Sequence, residues 1–184
     1  MKGETDTELH RPVRTTVTAI MISVFLMGTG TALQGSAVSL RGGIEGFSDT
    51  ILGVIMSANY IGLILGSLLA PALIRGVGYV RTFAAFASIG SASAIAHVLL
   101  INPYVWILFR GATGFCLAVM LVVVESWLNT SSSSSNRGRI LSVYSVVYLG
   151  SMGAGQPLLG VFSPAQFEIF GLTTILISFC MVPL

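Results

Sequence analysis

RTFAAFASIGSASAIAHVLLINPYVWILFR, residues 81–110, runs from one arginine to another with no charge between them. About 20 helical residues cross the ~30 Å hydrocarbon core of a bilayer. The stretch breaks at Asn102-Pro103, because proline disfavours helix in the residue before it and punctuates the chain. It reads as two membrane spans joined by a tight turn, about 81–101 and 104–128, the second running on through the uncharged segment 111–124. Further uncharged stretches occupy 15–40, 50–74, 140–167 and 169–184. They predict four more helices, about 16–40, 50–73, 140–162 and 167–184.

Composition leads to the same fold class. The 184 residues are 54% hydrophobic and 9% charged, with mean hydropathy +0.89, more apolar surface than a soluble globule of this length can hide. The expected architecture is all-α: a polytopic transmembrane bundle of six spans over 15–184, preceded by a tail at 1–14. The first run is too long for the 7–15 apolar residues of a signal peptide, so it reads as a retained span. Cys116 and Cys180 fall inside spans, where a small apolar side chain is the ordinary reading. The serine run 131–135 reads as a solvated linker.

Charge sets the threading. Of the nine basic residues, all but Arg41 and Arg110 lie in the tail, between the second and third runs (Arg75, Arg81), or between the fourth and fifth (Arg137, Arg139). The positive-inside rule places these segments, and with six spans both termini, in the cytoplasm. Arg41, Glu45, Asp49 and the 3–4 turn then lie outside. Small residues at four-residue spacing mark close helix contacts: Gly62, Gly66 and Ala70 in the second span, and Gly150 and Ala154 in the fifth. Spacing leaves open what each pattern touches.

Polar groups inside the bilayer are costly unless they face protein or water. Counting about 1.5 Å per residue from the outer helix ends puts Gln34, Arg110 and Gln156 roughly 9 Å deep and Asn59 roughly 13 Å deep, one polar layer from four helices. Arg110 supplies planar donors suited to carboxylate or phosphate; it either serves a solute or coupling site, or snorkels or bonds neighbouring carbonyls. The three amides either line a cavity or join helices. His97, near the outer end of its span, reads as an interfacial residue. Glu125, one turn before the inner end of the fourth span, reads either as half of a gate ion pair with a cytoplasmic arginine or as a headgroup-level carboxylate beside Trp127.

Several function classes are disfavoured. The chain has no Gly-x-x-x-x-Gly-Lys-Ser/Thr phosphate loop and no His-Glu-x-x-His, and neither His10 nor His97 has a metal partner at suitable spacing. We expect no cofactor, no metal, no enzyme activity and, without a basic aromatic patch, no nucleic-acid partner.

Six spans with a short basic 2–3 loop and an arginine early in the fourth resemble the N-terminal half of a major facilitator superfamily (MFS) transporter. In the loop pattern Gly-x-Leu-x-Asp-Arg/Lys-x-Gly-Arg/Lys-Arg/Lys, Leu73 and Gly78 agree and the basic residue Arg81 follows one place after the last basic position, whereas Pro71 replaces the first glycine and Arg75 the acid. In the fourth-helix pattern Arg-x-x-Gln-Gly-x-Gly-x-Ala, Arg110, Gly114 and Ala118 fall in place while Thr113 and Cys116 depart. The fifth-helix antiporter pattern fits poorly, with Gln156 at a glycine position. A closer resemblance, to the bacterial YcaD-like branch, rests on residues 78–83 (GYVRTF), 125–129 (ESWLN), Arg137-Gly138-Arg139 with Tyr144, and Gly155-Gln156.

That resemblance implies 3+3 inverted repeats and a proton-coupled secondary transporter of a small solute working by alternating access in the bacterial inner membrane. Substrate and coupling residues would be Arg110, Gln34, Asn59 and Gln156; Arg75, Gly78, Arg81 and Glu125 would form the cytoplasmic gate. Six spans are half of that architecture. The expected partners are therefore lipid, a solute, protons, and a second six-helix half, supplied by a longer polypeptide, a separate chain or a second copy. A non-transporting scaffold and a self-associating six-span channel are the alternatives.

Overall fold

The computed structural model describes the backbone of residues 4–184 and side chains from Thr15 onward. Lys2 and the side chains of the expected tail, Arg11 and Arg14 among them, lie outside the described residues. Six α-helices follow one another: α1 (Glu4–Ile44), α2 (Asp49–Val77), α3 (Tyr79–Leu99), α4 (Pro103–Ser131), α5 (Arg137–Ala154) and α6 (Phe167–Phe179), with a 3-10 helix at Gln156–Gly160 after α5. Four contain segments long and apolar enough to cross a membrane: Thr15–Ile44, Asp49–Val77, Tyr79–Leu99 and Pro103–Ser131.

Local chemistry explains the boundaries. Asn102 caps α4, its Oδ1 accepting from the amides of Tyr104 (3.0 Å) and Val105 (3.3 Å), while Pro103 opens the helix where its missing N–H costs nothing. Between α2 and α3, Gly78 takes φ +91° and its N–H bonds the Ile74 carbonyl, a backbone state that a side chain would strain. Helix α5 differs from the span expected over 140–162. It ends at Ala154, and the chain turns through a 3-10 segment containing Pro157; proline removes a backbone donor and clashes with the preceding turn. The sixth helix closes at Phe179, short of the expected 184.

Most of the closely packed helix pairs are not neighbours in sequence, α3 with α4 being the exception. α4 lies between α2 and α3, α1 lies between α5 and α6, and α3 meets α6. Glycine carries the tightest of these contacts, α2 against α4. A Cβ at Gly62 would meet the Gly111 carbonyl and come within 2.8 Å of the Phe115 nitrogen, and one at Gly66 would come within 2.5 Å of the Phe115 oxygen. The small-residue pattern of α2 is thus a contact within the bundle. At Gly150 and Gly153 of α5 a Cβ would meet nothing within 4 Å, so the same type of pattern there is open.

Burial falls into two apolar clusters. One gathers Val24, Met27, Phe83, Val119, Val123 and Leu128; the other gathers Leu33, Ile55, Trp106, Ile169 and Phe170. Along α4 the second holds Trp106 and the first begins at Cys116, leaving Arg110 and Thr113 at the seam. The outward faces stay apolar: Ile61, Ile64, Leu65, Leu68 and Leu69 of α2 are all at least half exposed. Lipid tails solvate such a surface and water does not.

Candidate functional site

At that seam lies a cavity of about 480 Å³, walled by α1, α2, α4, α5 and the start of the 3-10 segment. Gln34, Asn59, Arg110 and Gln156 all line it. The four polar side chains placed in one layer by depth therefore share one cavity. Arg110 is 5% exposed and Gln34 1%; Asn59 is half-buried and Gln156 exposed.

Each reaches the wall for a local reason. Gln34 follows Leu33, whose side chain is buried in the apolar cluster. Asn59 sits where α2 and α4 touch, because a Cβ at Gly114 would overlap the Asn59 carbonyl. Gln156 is held by Ser36, whose Oγ donates to Gln156 Oε1 at 3.1 Å. Its backbone is brought close by Gly155, where a Cβ would stand 2.8 Å from the Thr29 carbonyl, and Thr29 Oγ1 donates to the Ser151 carbonyl at 3.2 Å.

Arg110 has no such tether. Its guanidinium hydrogen-bonds no protein group among the described residues, and Nε is buried without an acceptor, as is Nε2 of Gln34. On α1, a Cβ at Gly35 would lie 3.9 Å from Arg110 Nη2. Among the described residues, no carboxylate lines the cavity. Buried charge left without a partner is expensive, so this is the unusual group of the bundle.

Sequence reasoning missed part of the wall. Thr31, Ser36, Tyr60, Thr113 and Tyr148 also line the cavity. Tyr148 follows Tyr144 by four residues, a spacing that puts both on one helix face, and their rings stack at 6.3 Å. A second cavity of about 500 Å³, among α2, α3 and α4, is lined by apolar side chains and glycines such as Ile61, Gly62, Phe86 and Phe115.

His97 departs from the interfacial role expected of it. It is fully buried, its Nδ1 is 2.7 Å from the Ser93 carbonyl, and its ring packs against Trp106 (5.5 Å) and Phe109 (5.4 Å). The reason is lateral: His97 lies in the last turn of α3, but α4 lays two aromatic rings over it.

The residues expected at the cytoplasmic gate sit at the opposite end of α4 from Trp106. Arg75, Gly78, Arg81 and Glu125 are all exposed. Tyr79 stacks on Trp127 at 6.1 Å, which docks the α2–α3 turn on α4. No cation lies within ion-pairing distance of Glu125 among the described residues; instead Tyr144 Oη donates to Glu125 Oε1 at 3.1 Å. The arginine of the ion-pair reading is not at Glu125 among the described residues, and a tyrosine of α5 meets the carboxylate. Tyr144→Phe should lower unfolding stability by about 1 kcal/mol, the usual value of one hydrogen bond, measured by thermal unfolding in micelles. The ion pair observed among the described residues is at the other end, where Arg41 Nε meets Glu45 Oε1 at 2.6 Å and Arg41 Nη1 reaches the Ala165 carbonyl.

No family model matches the chain. It is similar to an uncharacterized MFS-type transporter, YcaD, of Escherichia fergusonii, with 28% identity over 168 residues, 91% of this chain and 44% of the relative. The YcaD proteins of Escherichia coli O45:K1 and of Escherichia coli O6:H1 are each 29% identical over the same share. The chain spans less than half the length of these curated relatives. Four helices fit to cross a bilayer, apolar outward faces and this likeness along nearly the whole chain make it an integral membrane protein related to the MFS-type transporters of the YcaD kind.

Proposed function

We propose that the chain is the N-terminal six-span bundle of a secondary transporter that moves a small solute across the bacterial inner membrane by alternating access, driven by a proton gradient. The observation that carries this reading is the convergence of Gln34, Asn59, Arg110 and Gln156, from four elements, on one cavity between two apolar clusters. Transporter sites lie near the bilayer midplane, at the interface between repeats.

The helix pairing supports the repeat. Exchanging α1 with α4, α2 with α5 and α3 with α6 turns the α2–α4 and α3–α4 contacts into α5–α1 and α6–α1, and α3–α6 into itself, all close contacts of this bundle. Such a pairing suits two inverted three-helix units. Both termini would be cytoplasmic by the charge asymmetry, with Arg75, Gly78, Arg81 and Glu125 at the inner gate. A second six-helix half would complete the cavity; if the same polypeptide supplies it, the native mass should be about twice the 19.3 kDa of this chain, and if a separate chain or a second copy does, the native mass should equal that of this chain.

Coupling would run through Glu125. Among the described carboxylates, Glu45, Asp49 and Glu168 sit at or beside helix ends on the side of the bundle that bears Arg41, whereas Glu125 is joined through Tyr144 to Tyr148 on the cavity wall. Glu125→Gln should abolish solute accumulation driven by an imposed pH gradient while leaving solute exchange across proteoliposomes intact. The primary test is flux in proteoliposomes holding the native full-length polypeptide. Saturable, gradient-driven uptake is expected; ion flux that never saturates would instead establish a channel, and no flux a scaffold.

A further inference from the structure

We infer that the cavity takes a small organic monoanion, a carboxylate with an apolar body, held by Arg110 and Gln34. This rests on the cavity being the solute site proposed above and adds the class of solute.

Charge decides the sign. Among the described residues Arg110 is the one ionised side chain on the wall, since no Asp, Glu or Lys lines the cavity. It is only 5% exposed, and among the described residues no acceptor meets its guanidinium. Gln34, 1% exposed, carries a second buried N–H group with no acceptor. Two unpartnered buried donors, one of them charged, are an unfilled demand for an anionic acceptor.

Shape and charge count narrow the class. A guanidinium is a planar fork that matches a carboxylate with two parallel hydrogen bonds. One positive charge neutralises one negative charge, and a phosphate monoester, near −2 at neutral pH, would leave about one charge uncompensated in a low-dielectric site. Gly35, opposite the guanidinium on α1, adds no side chain to block the fork. Beyond Arg110 on the same face of α4 the wall turns apolar, with Leu117 and Leu121, faced by Leu63 of α2. The head of the solute would sit at Arg110 and its body along these leucines. About 480 Å³ is within the size range of small-molecule sites.

The test uses sodium benzoate with three matched probes: benzamide, its neutral isostere; benzylamine, a cation; and phthalate, a dianion. Thermal unfolding of the native full-length protein in micelles is followed against each. Benzoate should raise the midpoint saturably, and the other three should do so weakly or not at all. Arg110→Gln should weaken the apparent benzoate affinity about 10- to 100-fold, the value of a hydrogen bond to a charged group. A second measurement needs no variant: phenylglyoxal modification of Arg110, read by mass spectrometry, should be slowed by benzoate and unaffected by benzamide. Equal shifts from benzamide or benzylamine, no shift from benzoate, an undiminished response in Arg110→Gln, or no protection of Arg110 would each overturn the monoanion assignment. The transporter reading fails by a different result, the absence of saturable flux in proteoliposomes, which benzoate binding does not decide.

Discussion

Gly62→Leu and Gly114→Leu are expected to abolish accumulation of folded protein in the membrane, and the corresponding alanines to cost about 1–3 kcal/mol each, the range for overpacking a tight contact. What these glycines meet is backbone. A Cβ at Gly114 would overlap the Asn59 carbonyl and stand 2.8 Å from its carbon; one at Gly62 would overlap the Gly111 carbonyl. A flexible side chain could swing away, but a carbonyl within a hydrogen-bonded helix moves only if the helix moves. In lipid the hydrophobic effect does not hold helices together, so close packing supplies much of the association. Pushing α2 from α4 removes it and carries Asn59 away from the cavity. Gly150→Ala and Gly153→Ala are the controls: nothing lies within 4 Å of either position. Both should be neutral or gain up to about 1 kcal/mol, the helix propensity of alanine over glycine. Thermal unfolding in micelles reads all four, and a larger loss at Gly150 than at Gly62 would sink the account.

Those two glycine patterns show where spacing stops informing. Both are small-xxx-small sequences in apolar helices, and nothing along the chain distinguishes the one facing a backbone from the one facing open space. The polar layer is legible for the opposite reason. Apolar segments admit few polar residues, each must be accommodated, and helical rise converts position into depth, so Gln34, Asn59, Arg110 and Gln156 fall together without any knowledge of their contacts. Depth says nothing of direction around a helix. It therefore puts His97 at the right height and in the wrong environment, because Trp106 and Phe109 arrive from α4. The partner of Glu125 escapes charge reasoning, which looks for a cation, whereas a tyrosine hydroxyl from α5 satisfies the carboxylate. The start of α4 is readable from Asn102-Pro103. The end of α5 is not, since the helix stops among glycines before Pro157 rather than at a charge.

Arg110→Lys is expected to lower transport by about a hundredfold, the scale on which misplacing a positioning group by an ångström slows a reaction, while the protein accumulates and unfolds as the parent does. Folding should be indifferent because the guanidinium makes no hydrogen bond to the protein among the described residues, and Nε is already without an acceptor. The substitution removes no protein contact of that kind, and lysine keeps the positive charge and the apolar stem. Transport should suffer because the ammonium is a compact, strongly hydrated point charge with no planar fork. It would hold an anion less firmly and in no fixed orientation, and it ends short of the position of Nη2 beside Gly35. Proteoliposome flux and thermal unfolding on the same preparation separate the two effects. Undiminished flux would remove Arg110 from the mechanism. A collapse of stability with flux per folded molecule preserved would make it a structural arginine, and the cavity would need another origin for its affinity.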